Sequence, residues 1–198
     1  MKHRHPWLYR LAWLRRNRCS LLLAGGSETT AKTMASMLMN LLLRRDQFDR
    51  VFEDRSLIPA AFAETVRFAV PNQMAPRHAL ADVELSGGTV REGENVLLLF
   101  AAANRDPRRF ERPDEFDIFR PETDASVAFS NASAHLSFGR GRHFCLGAII
   151  ARHEVEVATN LLLDSLPDLR LTPGHQPREV GHFTRGPAEL LVDFTPAS

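Results

Sequence analysis

Phe138-Gly139-Arg140-Gly141-Arg142-His143-Phe144-Cys145-Leu146-Gly147 carries more chemistry than any other stretch of this 198-residue chain. A cysteine follows two glycines and stands where an apolar-periodic run, 145–166, begins a helix. Backbone amides and the helix dipole at such a place favour the thiolate over the thiol. Gly139 and Gly141 permit a tight loop whose amides can turn toward the sulfur, and Gly147 lets a flat ligand approach the helix. Two other readings compete. A free cysteine beside a glycine turn is often a small, inert core residue. A zinc site on His143 and Cys145 lacks the further clustered ligands that zinc requires.

Upstream of this loop, the leucine-, methionine- and alanine-rich run over 20–45 predicts one long helix ending at Arg44-Arg45, cations suited to a helix C-terminus. Gly25-Gly26 lies inside it and costs about 1 kcal/mol per glycine relative to alanine, so the pair predicts a kink or a close approach. A second helix is expected over 59–69, opened by Pro59. In it Glu64 and Arg67 stand three residues apart on one face, where they can pair. Pro71 and Pro76 force an extended passage. Residues 77–100 read as β structure, with Ser86-Gly87-Gly88-Thr89 turning 83–85 back toward a strand at 96–100. From 107 to 137 no periodicity appears; a stretch that long without secondary structure is usually functional or disordered. The helix over 145–166 presents Ile149, Ile150, Val155, Val157, Leu161 and Leu162 as its apolar face, and the tail reads as short strands.

The pattern F-G-x-G-x-H-x-C-x-G resembles the haem-binding signature of the cytochrome P-450 family, and every specified position matches. Three further matches follow the family's order. Gly25-Gly26-Ser27-Glu28-Thr29-Thr30 is similar to the motif of its long distal helix. Glu64-Thr65-Val66-Arg67 is similar to its E-x-x-R pair. Phe116-Asp117-Ile118-Phe119-Arg120 carries the second arginine of that cluster. The resemblance implies a mainly α fold with small β-sheets (α+β), corresponding to the C-terminal half of the family's fold: the long distal helix and the proximal Cys-loop helix. It also implies roles. Cys145 is the axial ligand of a haem b iron. Phe138 shields the sulfur, Gly139 and Gly147 shape the loop, and His143 and Arg77 reach the haem propionates. Gly25 and Gly26 open the distal helix into an oxygen pocket, where Glu28 and Thr29 pass protons. Glu64, Arg67 and Arg120 are structural and hold the cysteine loop. The implied reaction inserts one oxygen atom from dioxygen into a small organic substrate, with electrons from a ferredoxin-type donor.

Composition bounds the rest. An apolar share of 44% fits a globular chain, and 25 basic against 24 acidic residues argue against a nucleic-acid partner. Cys19 and Cys145 are too few for a disulfide framework, so a reducing cytoplasm is expected. Charges interrupt every apolar run before it reaches membrane-spanning length. The near-neutral total conceals an asymmetry: residues 1–18 hold six basic and no acidic side chains, leaving 19 basic against 24 acidic in the remainder. That leader matches nothing in the family, so two domains are expected: a basic leader, 1–18, and a truncated haem-thiolate domain, 19–198. A distal helix deprived of its family neighbours exposes apolar surface and invites self-association. The alternative to an enzyme is a non-catalytic remnant that binds haem weakly or not at all.

Overall fold

The computed structural model describes residues 20, 22–23 and 25–195; the leader 1–18 lies outside them. Helical backbone precedes a bend at Ser27, and α1 then runs Glu28–Leu42. The single helix expected over 20–45 is therefore interrupted twice. The first interruption follows the glycine pair. Just beyond it, Ser27 Oγ donates to the Leu23 carbonyl and Thr29 Oγ1 to the Gly25 carbonyl, both at 2.7 Å. Such hydroxyls back-bonding to the carbonyl four residues earlier bend helices, and the Ala31 N–H to Ser27 carbonyl distance stretches to 3.5 Å. The second interruption is Arg44, which leaves the helical region (φ −128°, ψ 78°). Its guanidinium donates back to the Asn40 carbonyl and side chain at 3.2 and 3.1 Å, as a cation at a helix C-terminus should. Arg45 instead begins a new helix, α2 (Arg45–Glu53).

Helix α3 (Ile58–Phe68), with proline in its first turn, buries Ile58, Ala61, Phe62, Ala63, Glu64, Thr65, Val66 and Arg67. A helix buried on nearly every side is the centre of its domain. Phe62 stacks on Phe129 with ring centroids 5.2 Å apart, and Met37, Leu41, Phe48, Val51, Phe116 and Val155 fill the surrounding core.

The β structure pairs differently from expectation. Strand β1 (Met74–His78) runs antiparallel to β4 (Asn95–Leu99), with Met74 opposite Leu99. Between them β2 (Val83–Leu85) and β3 (Gly88–Val90) form their own hairpin, so the Ser86–Thr89 turn joins 83–85 to 88–90 rather than to 96–100. A two-residue connection fits this pairing, with Gly88 (φ +144°) supplying the backbone freedom. Pro76 is tolerated in β1 because each strand of a two-stranded sheet has a free edge. The short α4 (Phe100–Ala103) leads into the irregular stretch, which contains only isolated helical turns at Pro121–Thr123 and Gly141–His143.

Helix α5 (Ala148–Ser165) packs on α1 and α3. Its buried residues are Ala148, Val155, Thr159 and Leu163, while Ile149, Ile150, Val157 and Leu161 are exposed. The apolar face read from sequence is thus two stripes, and only one is covered by the described residues. Two small hairpin-like pairs close the fold: β5 (Arg170–Leu171) with β8 (Val192–Asp193), and β6 (Glu179–Val180) with β7 (Gly186–Pro187), the latter seated on α1. The β6–β7 turn depends on Gly181. Its φ is +113°, and a Cβ there would fall 2.0 Å from the Thr184 carbonyl oxygen. Gly181→Ala is expected to cost about 1–3 kcal/mol, read as a lower denaturation midpoint in urea; an unchanged midpoint would show that the turn is not fixed. No helix among the described residues is long and apolar enough to cross a membrane.

Candidate functional site

The cysteine loop is built from left-handed glycines. Gly139 (φ +72°) and Gly141 (φ +71°) reverse the chain twice, and the Cys145 N–H donates to the Phe138 carbonyl at 2.8 Å to close the loop. The loop is pinned from outside as well. The Gly141 N–H donates to Asn131 Oδ1 at 2.8 Å, and Arg140 Nη2 donates to the Ser133 carbonyl at 2.5 Å. Of the loop amides expected to turn toward the sulfur, those of Gly139 and Gly141 are taken by Leu136 and Asn131. The amides of Leu146 and Gly147 have no acceptor among the described residues and lie next to Cys145 in sequence. A second expectation moves by three residues. Helix α5 begins at Ala148 with Gly147 as its N-cap, so Cys145 stands before the first turn rather than in it. Its thiol is free and exposed. A Cβ at Gly147 would lie 3.9 Å from Sγ, an ordinary contact, so this glycine is not required to make room for the sulfur itself.

Phe138 lies half-buried among rings, with centroids 5.9 Å from Phe129, 5.9 Å from His135 and 6.3 Å from Phe144. His143 is exposed. Arg77 is exposed on β1, and among the described residues its guanidinium donates to the neighbouring Pro76 carbonyl alone, at 2.8 Å. On the distal helix no atom of the described residues lies within 4 Å of a Cβ at Gly25 or Gly26. Thr29 is half-buried with its hydroxyl on Gly25, and the Glu28 carboxylate pairs with Lys32 at 2.8 Å. Among the described residues no hydrogen bond or ion pair joins Glu28, Thr29 or Arg77 to the cysteine loop, of which His143 is itself a part.

The structural cluster comes together fully. Arg67 clamps Glu64 through two bonds, Nη2 to Oε1 at 2.6 Å and Nε to Oε2 at 2.7 Å, with both side chains fully buried. Arg120 Nε reaches the same Oε1 at 3.3 Å, and the Asp117 N–H donates to it at 3.0 Å. The remaining guanidinium protons go to backbone. Arg67 donates to the carbonyls of Asn104, Pro113 and Glu115 at 3.0, 2.8 and 3.0 Å. Arg120 donates to those of Glu111, Arg112 and Glu115, the last two at 3.0 and 2.9 Å. Two arginines thus satisfy the carbonyls of an otherwise irregular segment, as buried polar groups require.

Sequence reasoning gave no role to three residues. Asn104, fully buried, takes the Leu136 N–H on Oδ1 at 2.8 Å and donates to Ser137 Oγ at 2.8 Å, tying α4 to the strand of chain entering the cysteine loop. Its place between Ala101-Ala102-Ala103 and Arg105-Asp106-Pro107 was the available signal: an amide at a helix end. His135 is fully buried against Phe138, and neither ring nitrogen has a hydrogen-bond partner. Burial, and then the Arg67 guanidinium, push its pKa down to about 4; the nearby Ala128 backbone offsets this only in part without making a well-formed hydrogen bond. Nothing in the sequence separates this histidine from an exposed one. Lys32 is the third, taken up below.

Comparison with known proteins agrees with this architecture. The cytochrome P450 family model matches residues 16–182. Pulcherriminic acid synthase of Bacillus subtilis (strain 168) is 41% identical over 173 residues, covering 87% of this chain and 43% of that protein. Steroid C26-monooxygenase of Mycobacterium tuberculosis (strain CDC 1551 / Oshkosh) is 38% identical over 179 residues, covering 89% and 45%. The crystal structure of P450BioI in complex with hexadec-9Z-enoic acid ligated acyl carrier protein aligns with a TM-score of 0.79 at 39% identity, over 89% of this chain and 44% of that one. The chain spans less than half the length of these relatives. The family model over residues 16–182, with relatives of about 40% identity and the same fold, shows that the chain belongs to the cytochrome P450 family.

Proposed function

We propose that the chain binds haem b through Cys145 and contributes to a monooxygenase reaction, inserting one atom of dioxygen into a small organic substrate with electrons from a ferredoxin-type donor. One observation carries the reading: an exposed, free thiol on a loop locked by two left-handed glycines and anchored at Asn131 and Ser133. The donor set fits the group. No three His, Cys, Asp or Glu side chains cluster among the described residues, so Cys145 offers a metal one soft ligand, and a porphyrin brings the others. Bound haem supplies the activation of dioxygen.

The chain's own residues supply the rest. Cys145 presents its sulfur to the iron, and Phe138 keeps water from one side of it. His143 and Arg77, both exposed, bind the two propionates, the guanidinium by its paired N–H groups. Gly25 and Gly26 keep the distal helix bare on the ligand side. The Glu28 carboxylate and the Thr29 hydroxyl, the latter already donating to Gly25, are the groups through which protons pass. Residues 71–76 and the turn 181–186 line part of the substrate space, and the Asn72–Thr184 bridge joins them. The relatives' names refer to unlike compounds, a pulcherriminic acid and a steroid, which supports the reaction class and leaves the substrate a small organic molecule. A cytoplasmic setting suits a working thiolate.

The test is spectroscopic. The purified chain is mixed with haem, reduced and exposed to carbon monoxide. A strongly red-shifted Soret band is expected, and Cys145→Ala should abolish the shift completely. Haem uptake without the shift, or no uptake, would overturn the reading and leave the non-catalytic remnant in its place.

A further inference from the structure

The Glu28 carboxylate is held by more of the molecule than its own helix. Lys32 Nζ lies 2.8 Å from Glu28 Oε1, one turn along α1. An ion pair of this spacing on a helix surface is ordinarily a loose contact. Here the lysine has two further anchors. Its Nζ also donates to the Thr184 carbonyl at 3.2 Å, across the chain in the β6–β7 turn. Its stem lies directly on Gly186: a Cβ there would fall 2.9 Å from both Cβ and Cγ of Lys32 and 3.3 Å from Cδ. Gly186 is buried and its φ lies outside the left-handed region, so glycine serves here to leave room for the lysine rather than to turn the chain.

The same turn is fastened to α1 and to the extended passage at other points. Ser36 Oγ donates to Glu179 Oε1 at 2.8 Å, and Arg185 Nε lies 3.3 Å from Glu179 Oε2. The Arg185 N–H donates to the Pro71 carbonyl at 2.8 Å, and the Gln73 N–H to the Phe183 carbonyl at 3.0 Å. Thr184 therefore sits where the two segments assigned above to the substrate space meet, and Lys32 connects that point to the acid.

We propose that Lys32 is a positioning residue: it fixes the rotamer of Glu28 and couples the acid to the 181–185 turn, so that a substrate resting on the turn steadies the proton-carrying group. The proposal rests on the role assigned to Glu28 in the haem-binding reading, and the experiment separates the two.

A water-soluble carbodiimide condenses a carboxylate with an amine in contact, forming an amide with loss of one water. Applied to the full chain, it is expected to join Glu28 to Lys32. Gly186→Ala, which displaces the lysine stem while keeping both reacting groups, should lower that yield at least fivefold. Amide hydrogen exchange over 181–186 should speed up at least threefold in Lys32→Met and return toward the parent rate in Lys32→Arg. In the haem-loaded, reduced protein, Lys32→Met and Glu28→Gln should each slow dioxygen consumption severalfold, and the double variant should be no slower than the worse single one. An unchanged crosslink yield, exchange unaffected by Lys32→Met, or additive effects on consumption would overturn the proposal. If the parent takes up no haem, the haem-binding reading fails, while the crosslink and exchange measurements on the same chain still decide whether Lys32 ties the acid to the turn.

Discussion

Replacing Glu64 with alanine is expected to cost about 3–5 kcal/mol of folding stability. That is a large share of the 5–15 kcal/mol or so that holds a typical domain together, so the variant should be unfolded or nearly so at 37 °C. Glu64 is fully buried and accepts from Arg67, Arg120 and the Asp117 N–H. Its removal strands two buried guanidinium groups, and arginine cannot escape by giving up a proton. Their carbonyl partners stay in place, but dipoles do not neutralise two full charges in a dry interior. Glu64→Gln, which keeps an acceptor oxygen and loses the charge, should fall between the parent and the alanine variant. The Arg105–Asp114 pair is the internal control, because Asp114 is 80% exposed and its loss should cost no more than about 1 kcal/mol. Urea unfolding followed by circular dichroism reads all three; a Glu64→Ala loss as small as that of Asp114→Ala would sink the argument.

The second large effect is acid lability through His135. Its folded pKa, about 4, lies below the ordinary histidine value of 6.5. Between those values the unfolded chain binds the proton and the folded chain does not, so stability rises with pH across the window and is lost as pH falls through it. The gap corresponds to ~3 kcal/mol at pH 4 relative to pH 7. The charged group that acts on the ring is Arg67, which repels a protonated imidazole. Since the ring packs on Phe138, protonation should first loosen the cysteine loop. His135→Leu removes the titration. The expected result is that the difference in stability between parent and variant changes by ~3 kcal/mol from pH 7 to pH 4; a difference that stays constant would refute it.

The fold was legible where local rules act on contiguous residues. Helix α3 was readable from Pro59 and its apolar run, and the turn at 86–89 from its glycines. The cysteine loop was readable from the spacing of Gly139, Gly141 and Cys145. What escaped was set by contacts distant in sequence. Residues 95–99 pair with 74–78 rather than with the nearer 83–85, whose partner across the short turn is 88–90. Arg44-Arg45 looked like one helix end, yet only Arg44 caps and Arg45 opens α2. On α5 periodicity marked apolar positions correctly but not which stripe is covered. Within the site, Cys145 and the E-x-x-R pair were recognisable from their spacing. Asn104, His135 and Lys32 were not, since each owes its importance to a partner between three and about 150 positions away.

The way Arg67 and Arg120 grip the segment 104–115 bears on how this chain tolerates change. Their partners there are main-chain oxygens of Asn104, Glu111, Arg112, Pro113 and Glu115, and every amino acid carries the same oxygen. The instructions for that segment's shape are therefore stored elsewhere, in three side chains on α3 and at position 120. Residues 111–113 and 115 can thus change identity without losing these contacts, whereas Asn104 and the buried Phe110 are held by their own side chains.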